Sequence, residues 1–350
     1  MLLRHCLPRS TPHPALPRSL PRLRSSPPTR SLSSPSIAPY ALPQAQRAFL
    51  YVPGSSPPAR LQKCLDNGLA GESGTGQPDV LILDLEDSVR TEKKGEARKQ
   101  VRQALDAAPA DCRSRKYVRI NSLQQGLDDL EAILPSPHLD GLVLPKVHTA
   151  EDLLAVDRFV EQFAPPATRE RLRIVASIES PLGLLNVREI ATASRRVGAL
   201  LFAAEDYCAS SSLLRTPSRT ELLFARSSVV TVARAYGLGA VDLVCVQYKG
   251  DAALEVLRDE AEEGRRMGFS GKQVIHPGQV ETVQRAFSPS EAEIDRARRI
   301  LAEYEAARAS GAGAYGLEDK AGGGTVMIDA PMLLQAEAIL AQARTAGIEV

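Results

Sequence analysis

Arg173-Ile-Val-Ala-Ser-Ile-Glu179 and Ala199-Leu-Leu-Phe-Ala-Ala-Glu205-Asp206 are two apolar runs that each finish in acid. The first is rich in β-branched residues and is stopped at once by Ser180, Pro181 and Gly183, which reads as a buried strand. An amphipathic segment carrying Leu184, Leu185, Val187 and Ile190 separates the two runs. Neighbouring parallel strands would bring both carboxylates to the same end of a sheet. There a hard cation such as Mg2+ would sit between one oxygen of Glu179 and one of Asp206.

The same alternation extends in both directions. Strands are expected at Ala48–Val52, Val80–Leu85, Tyr117–Ile120, Gly141–Leu144, Ile174–Ile178, Ala199–Ala203, Val241–Val246 and Gln273–Ile275. Helical periodicity lies between them, as at Lys94 to Leu105, Ala150 to Phe163, Thr220 to Tyr236 and Ala252 to Met267. Strand-then-helix units repeated in this way predict an α/β chain folded as a (β/α)8 barrel over residues 47–288, with an open doubly wound sheet as the alternative. Residues 289–350 follow as C-terminal helices and a lid: a charged helix from Ser290 to Ala309, a Gly-rich stretch from Gly311 to Thr325, then Met327-Ile-Asp329-Ala-Pro331 and a last helix. Gly68 to Pro78 has no apolar period and is expected to be an exposed loop without chemistry.

Residues 1–46 have a different composition. Arg4, Arg9, Arg18, Arg22, Arg24 and Arg30 stand among Ser and Pro, and the first acid in the chain is Asp66. This is the composition of a mitochondrial transit peptide, or else of a disordered tail whose prolines interrupt an amphipathic helix. Over the whole chain, 43 Lys and Arg against 42 Asp and Glu leave no global field to attract nucleic acid. The absence of Trp argues against a base-stacking platform. Five scattered cysteines without Cys-x-x-Cys spacing suit a reducing compartment, and no apolar run is long enough to span a bilayer.

Most strand candidates end in polar residues, at the end where a barrel keeps its chemistry: Asp84-Leu-Glu86-Asp87, Arg119 with Asn121, Lys146, Glu179, Asp206 and His276. Arg119 would offer a rigid fork of donors to a carboxylate or a developing oxyanion, or would pair with Asp84 or Glu86. His276, before Pro277, would touch substrate or hold its own backbone. Lys146 supports a rival chemistry, because a strand-end lysine of lowered pKa is the nucleophile of an imine-forming aldolase. No Gly-x-Ser-x-Gly, Walker or dinucleotide-binding motif falls at a strand-to-helix turn, which leaves serine hydrolysis and P-loop chemistry without support.

Taken together, Tyr51-Val-Pro-Gly54, Leu83-Asp-Leu-Glu-Asp87, Val118-Arg-Ile-Asn121, Leu144-Pro-Lys146, Ile178-Glu179, Glu205-Asp206, Gly271-Lys-Gln-Val-Ile-His-Pro277 and Met327-Ile-Asp329 resemble the citrate lyase β-subunit and malyl-CoA lyase family of the HpcH/HpaI aldolase superfamily. The resemblance covers the chain from about Arg47 to its end. It implies a homotrimeric (β/α)8 barrel that binds Mg2+ and reversibly cleaves a 3-hydroxyacyl-CoA, such as citramalyl-CoA or malyl-CoA, to acetyl-CoA and a 2-oxo acid. By the same resemblance, Glu179 and Asp206 are the metal ligands, Arg119 meets the substrate carbonyl, and Asp329 is an acid/base brought by a lid, commonly from a neighbouring subunit. Tyr51, Arg60, Lys63, Ile275 and His276 fall at substrate or CoA contacts. Ala203-Ala204, where relatives often carry glycines, and His148, where Glu is usual, depart from the family pattern, and the loop after Gly54 carries one extra residue. A subsequent thioester hydrolysis would make the protein a malate or methylmalate synthase, and a catalytically silent barrel subunit is the third reading.

Overall fold

The computed structural model describes residues 45–69, 76–310, 316–318 and 325–350. The expected targeting segment, the centre of the Gly68–Pro78 loop and most of the Gly-rich stretch after Ser310 lie outside the described residues.

Eight parallel strands close into a barrel in sequence order: β1 (Ala48–Pro53), β2 (Val80–Asp84), β3 (Arg115–Arg119), β4 (Gly141–Leu144), β5 (Arg173–Ile178), β6 (Val197–Phe202), β7 (Gly239–Asp242) and β8 (Gly271–Val274). Pairing of Ala48 with Lys272 and of Leu50 with Val274 joins the last strand to the first, so the closed barrel, not the open sheet, is the architecture. Among the described residues thirteen α-helices accompany the strands. They are α1 (Pro58–Leu65), α2 (Lys94–Asp106), α3 (Leu123–Ile133), α4 (Ala150–Phe163), α5 (Pro166–Arg171), α6 (Pro181–Leu185), α7 (Val187–Thr192), α8 (Ala204–Ser211), α9 (Leu223–Ala235), α10 (Asp251–Met267), α11 (Val280–Ala286), α12 (Glu291–Ser310) and α13 (Ala330–Thr345). A short antiparallel pair, β9 (Gly316–Glu318) and β10 (Thr325–Met327), lies between the last two helices.

The period of two along each strand sorts the core into two layers. Phe49, Val80, Ile82, Tyr117, Val143, Val175, Ala199, Leu201 and Val241 fill the barrel interior. Their immediate neighbours, such as Leu50, Leu81, Leu83, Val118, Leu142, Ile174 and Leu200, face the helices. Interior space is tight at Gly141, where a Cβ would stand 2.6 Å from the Tyr117 ring and 2.7 Å from the Arg173 carbonyl.

Four strands, β3, β6, β7 and β8, begin two residues before the expected start and end before the expected end. In β7 and β8 the early start falls on Gly239 and Gly271, residues that weigh against a strand in pattern reading. A Cβ on Gly271 would come within 2.4 Å of the Gln46 carbonyl oxygen. Their helix-facing positions also break the apolar rule. Asp242 of β7 is fully buried against Arg226 of α9, with contacts of 3.1 and 2.7 Å, and Arg226 also reaches Glu263 at 2.9 Å. Lys272 of β8 is fully buried against Glu260 at 3.0 Å and the Leu243 carbonyl at 2.8 Å.

The helices α12 and α13 pack on each other through Ile294, Ala297, Ile300, Ile328, Ala336 and Leu340, a cluster separate from both barrel cores. No helix among the described residues is long and apolar enough to cross a membrane.

The buried Arg226–Asp242 pair gives a direct test of stability. Arg226→Met strands a buried carboxylate and should cost about 3–5 kcal/mol, whereas adding Asp242→Leu removes the orphaned charge and should recover most of that loss. Urea denaturation followed by far-UV circular dichroism measures both; equal stability of Arg226→Met and the native chain would show that the pair is not needed.

Candidate active site

The alternation that fills the barrel also determines which strand-end residues reach its mouth. Tyr51, Asp84, Arg119, Glu179 and Gln273 all share the inward parity of the interior layer, at the C-terminal ends of β1, β2, β3, β5 and β8. Arg119 is at the centre. Its Nε and Nη2 donate to the two oxygens of Asp84 at 2.6 and 2.7 Å, its Nη1 lies 3.1 Å from Glu86 and 3.5 Å from Asp87, and its guanidinium carbon stands 4.8 Å from the centre of the Tyr51 ring. Burial alone would lower the arginine pKa, but the hydrogen bonds and charge of Asp84 hold it above its ordinary value, fixing the cation. Asp84 is buried as well. Burial would raise its pKa, and Arg119 together with Ser88 and the Glu86 amide brings it below the usual carboxylate range. Through those last two bonds Asp84 also folds the chain from Asp84 to Ser88 into a tight turn that aims Glu86 and Asp87 at the same space.

Lys146 follows β4 and adopts φ 51°, a left-handed conformation uncommon for a side chain of this kind. Its ammonium donates to Glu86 at 2.7 Å and lies 3.9 Å from Asp87. Desolvation works to depress its pKa, yet Glu86 outweighs it and the lysine is held above its ordinary value. A protonated, ion-paired lysine is the opposite of what an imine-forming nucleophile requires. The rival chemistry therefore loses its residue.

Glu179 is buried directly after β5, and Asp206 lies in the first turn of α8, where the helix N-terminus favours a negative charge. Burial is the largest influence on Glu179. A hydrogen bond from Ser177 opposes it, while the charges of Glu86 and Asp206 add to it and Lys146 partly offsets them, leaving the carboxyl at about 7. An acid displaced this far by burial and by like charges stands in a place short of positive charge. Among the described residues no three acids, histidines or cysteines form a complete coordination cluster. Mg2+ does not require one, since it usually takes one or two carboxylates and completes its shell with water and substrate oxygens. The hard oxygen donors of Glu179 and Asp206 fit such an ion.

Beside the mouth, Tyr51, Val52, Arg60, Lys63, Cys64 and Pro277 line a cavity of about 270 Å3. Arg60 and Lys63 share one face of α1 and give this cavity a basic edge. Ile275 is exposed at the end of β8. His276 caps the following turn, its Nδ1 accepting from the Gly278 amide at 3.1 Å while its ring lies 5.6 Å from that of Tyr248. Asn121 turns away from the mouth to bind Asp129 and the Leu85 carbonyl. His148 contacts Ser180 through its Nδ1 at 2.9 Å. Asp329 is the N-cap of α13, exposed and accepting from the Met332 amide at 3.0 Å; among the described residues it makes no hydrogen bond or ion pair with the mouth of its own barrel.

Two contributors escape a reading of the sequence. Gln273 accepts from the Tyr51 hydroxyl at 3.1 Å and donates to the Phe202 and Asp242 carbonyls, closing the floor of the mouth. Lys94 donates to the Leu85 and Glu86 carbonyls and to Asn121, clamping the acidic turn from behind. The only available signal was the inward parity of Gln273, and Lys94 looked like an ordinary helix-surface residue.

Known proteins bear on this arrangement. Residues 47–277 match the model of the HpcH/HpaI aldolase/citrate lyase family. The chain is 34% identical to the citrate lyase subunit beta of Escherichia coli over 87% of its own length and 95% of that protein. It is also 34% identical to the human mitochondrial citramalyl-CoA lyase over 83% and 84% of the two chains. A Mycobacterium tuberculosis CitE structure in complex with magnesium, acetoacetate and coenzyme A superposes with a TM-score of 0.65 at 30% identity, covering 87% of this chain and all of that one. With its closed barrel, its acid-rich mouth and likeness along nearly the whole length of these relatives, the chain belongs to the HpcH/HpaI aldolase/citrate lyase family and is, like them, a lyase.

Proposed function

We propose that this lyase cleaves a 3-hydroxyacyl-CoA of the citramalyl-CoA or malyl-CoA type to acetyl-CoA and a 2-oxo acid, reversibly, with Mg2+ held by Glu179 and Asp206. The observation that carries the reading is the convergence of Glu179, Asp206 and Arg119 on one mouth, next to a cavity edged by Arg60 and Lys63. Arg60 and Lys63 suit the phosphates of CoA, while Tyr51 and the exposed Ile275 offer apolar surface to the thioester arm. When bound, Mg2+ supplies a Lewis acid that lowers the pKa of the substrate hydroxyl. Asp84 occupies two of the three guanidinium nitrogens of Arg119 and fixes its plane; the third, Nη1, is the one able to turn from Glu86 to an oxygen of the substrate. There it would stabilise the negative charge that gathers as the carbon–carbon bond breaks. Asp329 would deliver a proton to the enolate carbon that becomes the methyl of acetyl-CoA, and in the reverse direction would remove it.

Because Asp329 makes no hydrogen bond or ion pair with its own barrel mouth among the described residues, we assign it to the mouth of a neighbouring copy in a homotrimer. Support for such an interface comes from the rim after β5, β6 and β7, which leaves Leu185, Leu214, Phe224 and Val246 exposed. The arginine-rich, acid-free residues 1–46 and the mitochondrial designation of the human, rat and mouse relatives support import into the matrix, although the E. coli relative is similarly close.

Three expectations follow from this reading. In Mg2+ calorimetry and a coupled assay with citramalyl-CoA and malyl-CoA, Glu179→Ala and Asp206→Ala should lose both the Mg2+ heat and turnover. Arg119→Lys should keep the heat and lose turnover on the order of 100-fold; Mg2+ binding unchanged in the two acid variants would place the metal elsewhere. Mixing inactive Asp329→Asn with inactive Glu179→Ala under subunit exchange should restore part of the activity, and no recovery despite proven exchange would confine Asp329 to its own chain. A fluorescent fusion of residues 1–46 should enter mitochondria, and a diffuse cytosolic signal would refute the address.

A further inference from the structure

At the opposite end of the barrel from Glu179 lies a second, larger cavity of about 1010 Å3. Its walls include residues just before β1 and just before β8, and the C-terminal end of α13, so it belongs to the N-terminal face and is separate from the mouth. Six arginines line it, Arg47, Arg234, Arg258, Arg265, Arg266 and Arg285, against two acids, Glu262 and Glu293.

Several of these arginines are already engaged. Arg47 is held by Asp79 at 2.8 Å and donates to Ser288 at 2.8 Å, Arg265 pairs with Glu293 at 2.8 Å, and Arg266 lies 3.7 Å from Glu262. Arg234 donates to the Gly268 carbonyl. Both lining acids are thus taken up by Arg265 and Arg266. Arg258 and Arg285 have no ion-pair partner among the described residues, although both face the cavity. Their positions are built into the fold: Arg258, Glu262, Arg265 and Arg266 recur at helical spacing along one face of α10, and Arg285 comes from the last turn of α11 packed beside it. The two glutamates hold the outer guanidinium groups in place while leaving the sum of charges positive.

The opposite wall is the C-terminal end of α13, whose dipole disfavours an anion, so the attraction must come from the arginines across from it. Gln342 and Thr345 provide neutral polar side chains, and the terminal carbonyls of α13 are not bare: those of Gln342, Ala343 and Arg344 accept from the amides of Ala346, Ile348 and Gly347. Phe269 and Phe287 give the cavity an apolar floor. A volume of this size exceeds what a single inorganic ion fills.

We infer that this cavity is a binding site for a small, multiply charged phosphate-bearing anion, recognised by Arg258 and Arg285 and distinct from the CoA-ester site at the mouth. Guanidinium forks match phosphate oxygens two at a time, and two such forks on adjoining helices select a ligand with more than one charged group over a simple ion. Since α13 begins at Asp329 and ends in this cavity, a seated anion bridges the barrel to the helix that carries the proposed acid/base.

The test uses the full-length chain without metal. Isothermal titration with inorganic pyrophosphate at low salt should reveal a saturable site, one per chain, that persists when Arg60 and Lys63 at the mouth are both changed to Glu. The exposed double variant Arg258→Glu/Arg285→Glu should weaken it at least tenfold while melting at an unchanged temperature, and the milder Arg258→Gln/Arg285→Gln should fall between. Arg60→Glu/Lys63→Glu, at the mouth, should leave this affinity unchanged. Absence of saturable binding, retention of full affinity in the cavity variants, or its loss in the mouth variant would each overturn the assignment.

Discussion

The bidentate pairing of Arg119 with Asp84 is the contact on which the barrel mouth depends. Asp84 is buried and Arg119 largely so, and a buried charge survives only with a matched partner in good geometry. Asp84 meets that demand twice over. One carboxylate fixes the guanidinium plane on β3 and gathers the Ser88 hydroxyl and the Glu86 and Ser88 amides into the turn that follows β2. That turn in turn positions Glu86 to hold Lys146, and the charge of Glu86 reaches Glu179. A single strand-end acid thereby organises residues from four strands, which makes the mouth a connected unit.

A second set of charges lies outside the barrel, between the strands and their helices. Asp242 with Arg226, and Lys272 with Glu260, occupy places where an apolar pair would serve packing as well. Arg215 links this set to the mouth, lying 3.3 Å from Glu205, the neighbour of Asp206, and 3.8 Å from Glu260. The side of the barrel that holds Asp206 is therefore braced by directed polar contacts, as the side of β3 is by Asp129 with Arg98 and Asn121.

Much of this was legible in the sequence, for a physical reason. Parallel strands buried on both faces read as unbroken apolar runs, and the polar residue that ends each run marks the strand's mouth end, so Asp84, Arg119, Glu179 and Asp206 could be named from the chain alone. The boundaries of β7 and β8 could not, because Gly271 serves a steric need imposed by distant backbone and Asp242 and Lys272 hide among apolar neighbours. The protonation of Lys146 was equally invisible. It is set by Glu86, which stands 60 residues away in sequence and 2.7 Å away in space. The cavity on the N-terminal face also had no signature, since its arginines come from four separated segments, three of which read as solvated helix surfaces.

The private core shared by α12 and α13 has a mechanical consequence. Two helices that pack on each other more firmly than on the barrel move as one stiff arm, joined to α11 through Ser288, Pro289 and Ser290. A helix of twenty residues is about 30 Å long. Rotation by about 10° at that joint would sweep the far end through about 5 Å, close to one helical turn. The arm is a lever whose fulcrum is pinned by Arg47 against Ser288, so displacements too small to disturb the barrel are magnified where the chain turns back toward Asp329.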